Sequence, residues 1–199
     1  MIGKSYKGCR KKKGRSIHME NKRSYSPRKG QKNGNRRNDE YRKGREEHNT
    51  LNSLYIEPEL CDVHNQNLAA KYALMEKNEV RWEEVQCDDA ELVITAYGTP
   101  ARIALTAIDA LRAEGYKVGL FRPITIWPFP EKALHDLAAK DHVKVFLDTE
   151  MSSVGQMIDD VRLAVEGQKP IYYTGRAGGV IPAVEEIVEA AKKALKEVQ

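Results

Sequence analysis

Cysteine is scarce in this 199-residue chain: Cys9, Cys61 and Cys87 lie far apart, and no pair has the CxxC spacing. An odd, scattered set excludes a disulfide framework. It also excludes a zinc or iron–sulfur site built from this chain's own thiolates, and it fits a reducing, cytoplasmic compartment. Long apolar runs are missing too. None approaches the roughly 20 residues needed to span a bilayer, so no membrane partner is expected, and the N-terminus lacks the apolar centre of a signal peptide. The most informative absence is local: the first fifty residues contain no Ala, Val, Leu, Phe or Trp. Such a stretch cannot bury enough apolar surface to offset its ordering entropy.

Charge divides the chain at the same place. Residues 1–50 carry 17 Lys/Arg and 5 Asp/Glu, whereas residues 51–199 carry 16 and 24, so a segment of net charge +12 precedes one of −8. Residues 1–42 are read as a basic tail, disordered or non-native, and a misassembled start would also explain their composition. The functional alternative is an arm for nucleic acid, because dispersed Lys and Arg release phosphate counterions on binding. Tyr6, Tyr25 and Tyr41 could stack on bases, but no RNA- or DNA-binding motif appears. Any nucleic-acid partner would have to be engaged through residues 1–42. Gly3-Lys4-Ser5 resembles the end of a phosphate loop but lacks the upstream glycine and the preceding strand.

Residues 43–87 read as a linker and helical arm. Glu57-Pro58-Glu59 starts a helix, with proline tolerated in the first turn and acids complementing the dipole. Leu60, His64, Leu68, Tyr72 and Met75 continue it at three- to four-residue spacing to about Asn78. His64 on that stripe is read as a packed or rim residue rather than a ligand, and residues 79–85 as the link to the next domain.

From residue 88 to 199 the pattern alternates strand and helix. Leu92-Val93-Ile94 is a continuous apolar run, as in a strand covered on both faces. Gly98-Thr99-Pro100 makes a turn, with Thr99 expected as the helix cap and Pro100 at the first helical position. Ile103, Ala104, Ala107, Ile108 and Leu111 form the inward face of the helix, Arg112 points outward, and Gly115 ends it. Further strands are expected at Val118–Pro123, Val143–Leu147 and Ile171–Thr174. The helices are expected over 131–140, 156–166 and from Pro182 onward. Four such units with short connections specify a three-layer α/β domain with a mainly parallel sheet.

In such a sheet ligands bind at the carboxyl edge of the strands. The candidates there are Gly98 and Thr99 with Arg102, then Arg122, the Asp148–Ser153 loop, and Gly175–Gly179 with Arg176, Gly178 and Gly179. The segment YGTPAR has one glycine where a dinucleotide fold needs GxGxxG, so NAD is excluded. Asp148 and Glu150 are read as solvated loop charges, since no partner can be placed beside them. No nucleophile elbow, metal-ligand cluster or phosphate loop is present, and no catalytic residue or metal ligand is assigned. One reading left open is a regulatory module binding a small anion near Arg102 and Arg176.

Four motifs in fixed order, AYGTPARIA, GLFRPITIWPFPEKAL, GQMIDDVRLAVEG and YYTGRAGGVIP, resemble the C-terminal domain of the alpha subunit of 2-oxoacid:ferredoxin oxidoreductases. They are most similar to the 2-ketoisovalerate type, followed by the 2-oxoglutarate and pyruvate types. The upstream stretch from Lys43 resembles the linker and helical arm of that subunit, so the likeness spans 43–199. It implies a transketolase C-terminal-like fold. It implies membership of a complex that decarboxylates a 2-oxoacid oxidatively to an acyl-CoA. Thiamine diphosphate, Mg²⁺, iron–sulfur clusters and coenzyme A would serve the intact complex, with none bound by this chain alone. Its partners would be the beta, gamma and ferredoxin-like delta subunits, with ferredoxin as the electron acceptor. Two departures stand out. The pyrimidine-binding domain that precedes this region in the family has no counterpart here, and Met151-Ser152-Ser153-Val154 replaces a loop that usually contains asparagine. The chain is therefore expected to be a truncated alpha subunit, inactive alone, that contributes a docking surface with Arg122, Trp127, Phe129 and Arg176 as contacts.

Overall fold

The computed structural model describes residues 54–198, which divide into two compact units at Leu74/Met75. The expectations placed on residues 1–53 lie outside the described residues. In the unit up to Leu74, the helix α1 (Pro58–Asn78) begins at the expected proline, and Tyr55 stacks on a half-buried His64 with ring centroids 4.9 Å apart. None of the α1 residues is buried.

The unit from Met75 onward holds β1 (Trp82–Val85), β2 (Leu92–Ala96), α2 (Gly98–Ala113), β3 (Val118–Pro123) and α3 (Glu131–Ala138). These are followed by β4 (Val145–Glu150), α4 (Met157–Val165), β5 (Ile171–Gly175) and α5 (Val184–Glu197). The sheet order is β1-β3-β2-β4-β5, with β1 antiparallel to β3 and every other pairing parallel. Along β2, Leu92, Ile94 and Ala96 point to the face covered by α2 and α5, while Val93 points to the face covered by α3 and α4. The strand is apolar on both sides because both sides are covered. This is the three-layer, mainly parallel α/β architecture that the alternation implies.

Four local differences from the sequence reading have physical causes. Residues 82–85, expected within a link, form the edge strand β1; its glutamates hide the strand pattern yet are buried, and Glu83 accepts a hydrogen bond from Arg122 on β3 at 3.3 Å. The residue preceding α2 at its cap is Tyr97 rather than Thr99: the helix starts two residues sooner, at Gly98, whose φ of +59 a residue with a Cβ rarely adopts. α5 begins at Val184, two residues after Pro182, where the Glu186 carboxylate accepts the Ala183 N–H at 3.1 Å. β4 starts later than expected and runs on through Asp148, Thr149 and Glu150, all of which pair with β5.

Arg112 does not simply face outward. Its guanidinium donates to Val118 O, Gln86 O and Asp89 Oδ1 at 2.7, 2.8 and 2.7 Å, tying the foot of α2 to the β1–β2 connection. That connection lies close over Gly119, where a Cβ would stand 2.7 Å from Gln86 O and 2.9 Å from the Cys87 sulfur. Glycine is required there for close approach of two backbones rather than for its dihedral freedom.

Candidate functional site

β2 and β4 are neighbours, yet the chain leaves β2 for α2 on one face and β4 for α4 on the other. Their carboxyl ends therefore flank a topological switch point, the usual place for a ligand crevice in an open α/β sheet. At this point the register sets Thr95 opposite Asp148 and Ala96 opposite Thr149. The Thr95 hydroxyl donates to Asp148 Oδ1 at 2.6 Å. Two residues on, the Glu150 carboxylate sits over the N-terminus of α4. It accepts the Gln156 N–H on both oxygens at 2.9 and 3.1 Å, the Met157 N–H at 3.1 Å and the Ile158 N–H at 3.0 Å. A carboxylate of the chain thus occupies the position that an anion takes at a helix N-terminus.

The two carboxyls differ in charge state for reasons that can be read from their surroundings. Burial, then the neighbouring Glu150, push Asp148 up to about 8, against the lowering effect of the Thr95 hydrogen bond. Burial also works against the charge on Glu150, but the neighbouring Asp148 carboxyl and the hydrogen bonds from the Gln156, Met157 and Ile158 backbone N–H groups outweigh it and hold that carboxyl below its ordinary value. Their surroundings thus favour a proton on Asp148 and a charge on Glu150. The solvated-charge reading of Asp148 and Glu150 is overturned, since both are within 1% of full burial. Asp148 Oδ2 and Thr149 Oγ1 are buried without a hydrogen-bond partner among the described residues. Tyr173 closes the cluster from β5, its hydroxyl donating to Ser152 O at 2.5 Å. These groups are walled in, so they fix the 151–155 loop and the start of α4 rather than meet a substrate.

The other expected site residues lie along the same edge without converging. Gly98, Thr99 and Arg102 are exposed on the first turns of α2. Arg122 is held by Glu83. Arg176 is ion-paired to Glu186 beside a hollow of about 410 Å³, and Gly178 and Gly179 turn outward with positive φ. Trp127 and Phe129 do share a feature: both line a cavity of about 780 Å³ in the elbow after β3, together with Trp82 and Lys132. Exposed apolar side chains gather at this edge, with Ile124, Ile126 and Trp127 after β3, Met151 and Val154 after β4, and Val180 and Ile181 after β5.

Residues 90–187 match the family model for pyruvate:ferredoxin oxidoreductase core domain II. That stretch belongs to this domain family. The chain is 40% identical over 145 residues to ketoisovalerate oxidoreductase subunit VorB of Methanothermobacter thermautotrophicus, covering 73% of this chain and 40% of that subunit. It is 33% identical over 101 residues to 2-oxoglutarate synthase subunit KorA of Methanothermobacter marburgensis, covering 51% of this chain and 26% of that one. The chain thus spans well under half the length of these curated relatives. The solved 2-oxoglutarate:ferredoxin oxidoreductase from Magnetococcus marinus, with 2-oxoglutarate, coenzyme A and succinyl-CoA bound, shares the fold with a TM-score of 0.56 at 21% identity. That likeness covers 73% of this chain and 24% of that one.

The described cysteines do not fit an iron–sulfur cluster. An iron–sulfur cluster needs a set of thiolates. Cys87 is buried, donates its thiol to Leu120 O at 3.2 Å, and is pushed up to about 12 by burial and by the nearby Glu84 charge. Cys61 is half-buried on α1. Among the described residues no group of three or more His, Cys, Asp or Glu side chains could hold a metal ion, and no helix is long and apolar enough to cross a membrane. Sequence reasoning missed Thr95, Glu150 and Tyr173 as one cluster. Their partners are backbone N–H groups or residues far along the chain.

Proposed function

We propose that this chain supplies core domain II to a branched-chain 2-oxoacid:ferredoxin oxidoreductase of the 2-ketoisovalerate type, acting in the cytoplasm as a docking domain and inactive by itself. The observation that carries the reading is the 40% identity to VorB over 145 residues, against 33% over 101 for the 2-oxoglutarate relative. The architecture supports a docking role. The buried carboxyl pair at the switch point is closed, while the loops at the carboxyl edge around it expose Ile124, Ile126, Trp127, Met151, Val154, Val180 and Ile181, and a belt of exposed apolar side chains is a feature of interaction surfaces. Trp127 and Phe129 are the central contacts of that belt, with Arg122 and Arg176 at its sides and Gly98, Thr99, Arg102, Gly178 and Gly179 on its rim. Thiamine diphosphate with Mg²⁺, the iron–sulfur clusters and coenzyme A are to be held by other polypeptide, on the beta, gamma and ferredoxin-like delta subunits or on further alpha-subunit sequence, and ferredoxin takes the electrons.

Viologen reduction tests this directly. The purified chain supplied with 2-ketoisovalerate and coenzyme A is expected to give no reduced dye. Adding the remaining subunits should give activity that favours 2-ketoisovalerate over 2-oxoglutarate and pyruvate. Reduction by the chain alone overturns the docking role, and equal rates with all three acids overturn the substrate class.

A further inference from the structure

The elbow cavity combines two kinds of wall. Trp82, Trp127 and Phe129 give it aromatic surface, and Ile126, Pro128 and Pro130 make the apolar remainder. Its polar lining is lopsided: Glu76, Glu131, Asp136 and Asp160 against the single cation Lys132. None of these four carboxylates is ion-paired with a Lys or Arg among the described residues. Asp160 shows the consequence. Burial, then the charges of Asp159 and Glu150, raise its carboxyl above the ordinary value, with no cation to offset them. Aromatic faces attract cations through their quadrupole, and more strongly where water is excluded. A cation with a slender apolar stem would lay the stem along the indole and proline surfaces and set its charge among the carboxylates. Anionic and purely apolar occupants leave the acidic side uncompensated.

We propose that this cavity receives an arginine or lysine side chain presented by a partner subunit. The identity of the partner as a subunit rests on the docking reading above; the cation chemistry does not. The location agrees with it, since Trp127 and Ile126 remain 52% and 41% exposed at the cavity mouth, within the apolar belt. An aromatic lining with an excess of acids also selects against segments that carry Asp or Glu at this point, which would set the register of docking as well as its strength.

The chain has two tryptophans, and both line this cavity, so intrinsic fluorescence reports on its occupancy. The full chain is titrated with n-butylguanidinium and with its uncharged isostere n-butylurea. A saturable fluorescence change with the guanidinium and none with the urea is expected. The Asp136→Asn/Asp160→Asn double variant should weaken guanidinium binding by roughly tenfold, and Lys132→Gln should strengthen it roughly threefold. A misfolded protein could imitate the first change but not the second. Equal responses to guanidinium and urea, or affinities indifferent to all three substitutions, overturn the cation site. The source is tested by repeating the titration on the chain assembled with its partner subunits. Loss of probe binding is expected there. Unchanged probe binding in an assembled complex overturns the partner side chain as occupant and leaves the docking reading standing. Failure of the chain to assemble at all overturns the docking reading and leaves the cation site standing.

Discussion

Two regions at the same edge of one sheet solve opposite problems. At the switch point, the ends of β2 and β4 carry fully buried polar residues, Thr95, Asp148, Thr149 and Glu150, and both oxygens of Glu150 are answered by backbone N–H groups of the chain. In the elbow after β3, large apolar and aromatic residues remain exposed around an open cavity whose carboxylates have no cationic partners among the described residues. In many open α/β sheets the switch point binds the ligand and the flanking loops are rigid supports. Here the support is the switch point itself. Glu150 fills the anion position at the start of α4, so an external anion would have to displace a carboxylate that accepts three backbone N–H donors. On the proposed docking role, recognition falls to the loops beside it.

Glu150→Gln gives the largest effect that this contrast predicts. Glutamine presents an NH₂ group to backbone donors where the carboxylate presented a second oxygen, and the charge that strengthens those bonds is lost. A destabilisation of about 2–4 kcal/mol is expected, since hydrogen bonds to charged groups contribute about 1.5–3 kcal/mol each and a buried N–H is left unanswered. Chemical denaturation of the full chain measures it. A loss under about 0.5 kcal/mol would mean that solvent reaches the α4 N-terminus and that the switch point is open after all.

Much of this fold could be read from the order of residues, and the exceptions share a cause. β2, α2 and β3 were legible because their stabilising partners are generic. Leu92, Val93 and Ile94 need any apolar cover on both faces, and Gly115 with φ +93 marks a helix end by its lack of a Cβ. β1 was hidden because Glu83 and Glu84 break the apolar pattern, and their burial depends on Arg122 and on the Trp82 indole. Asp148 reads as a loop charge in the sequence because its hydroxyl donor, Thr95, stands 53 positions earlier. The elbow was half legible. Trp127 and Phe129 advertise a contact surface, but Trp82 from the edge strand and Asp160 from α4 reach the same cavity only through the fold.

Asp148 separates the two carboxyls of the closed region by their response to pH. Its value in the folded chain lies above that of the unfolded chain, from the ordinary 3.8 to about 8. The native state therefore holds a proton that the unfolded state releases over that interval. Stability contributed by protonated Asp148 is complete below the unfolded value and is lost as pH rises toward the folded one, at a slope of up to about 1.4 kcal/mol per pH unit. Glu150 has the opposite sign: its folded value is lowered, so its contribution is present above the unfolded value and lost as pH falls through the folded one. Asp148→Asn keeps the shape without the titration. The variant should lose less stability than the parent between pH 5 and pH 8, in urea melts recorded at each pH. Parallel pH profiles for the two proteins would show that Asp148 is already ionised in the folded chain.

The open region should give the smallest change in stability and a large change in assembly. Trp127 is 52% exposed and stands outside both buried clusters, so Trp127→Ala removes little surface that folding has taken from water. A shift within about 1 kcal/mol is expected, against the 3–5 kcal/mol that truncation of a core tryptophan costs. Large aromatic residues at the centre of an interface carry about 2 kcal/mol or more of binding energy, so the same variant should lose at least about tenfold in affinity for its partner subunits. Co-purification across a concentration series, with thermal melts of the isolated chain, separates the two effects. If Trp127→Ala instead melts early and assembles in proportion to what remains folded, the elbow belongs to the core. The contrast between a closed switch point and a recognition loop would then collapse.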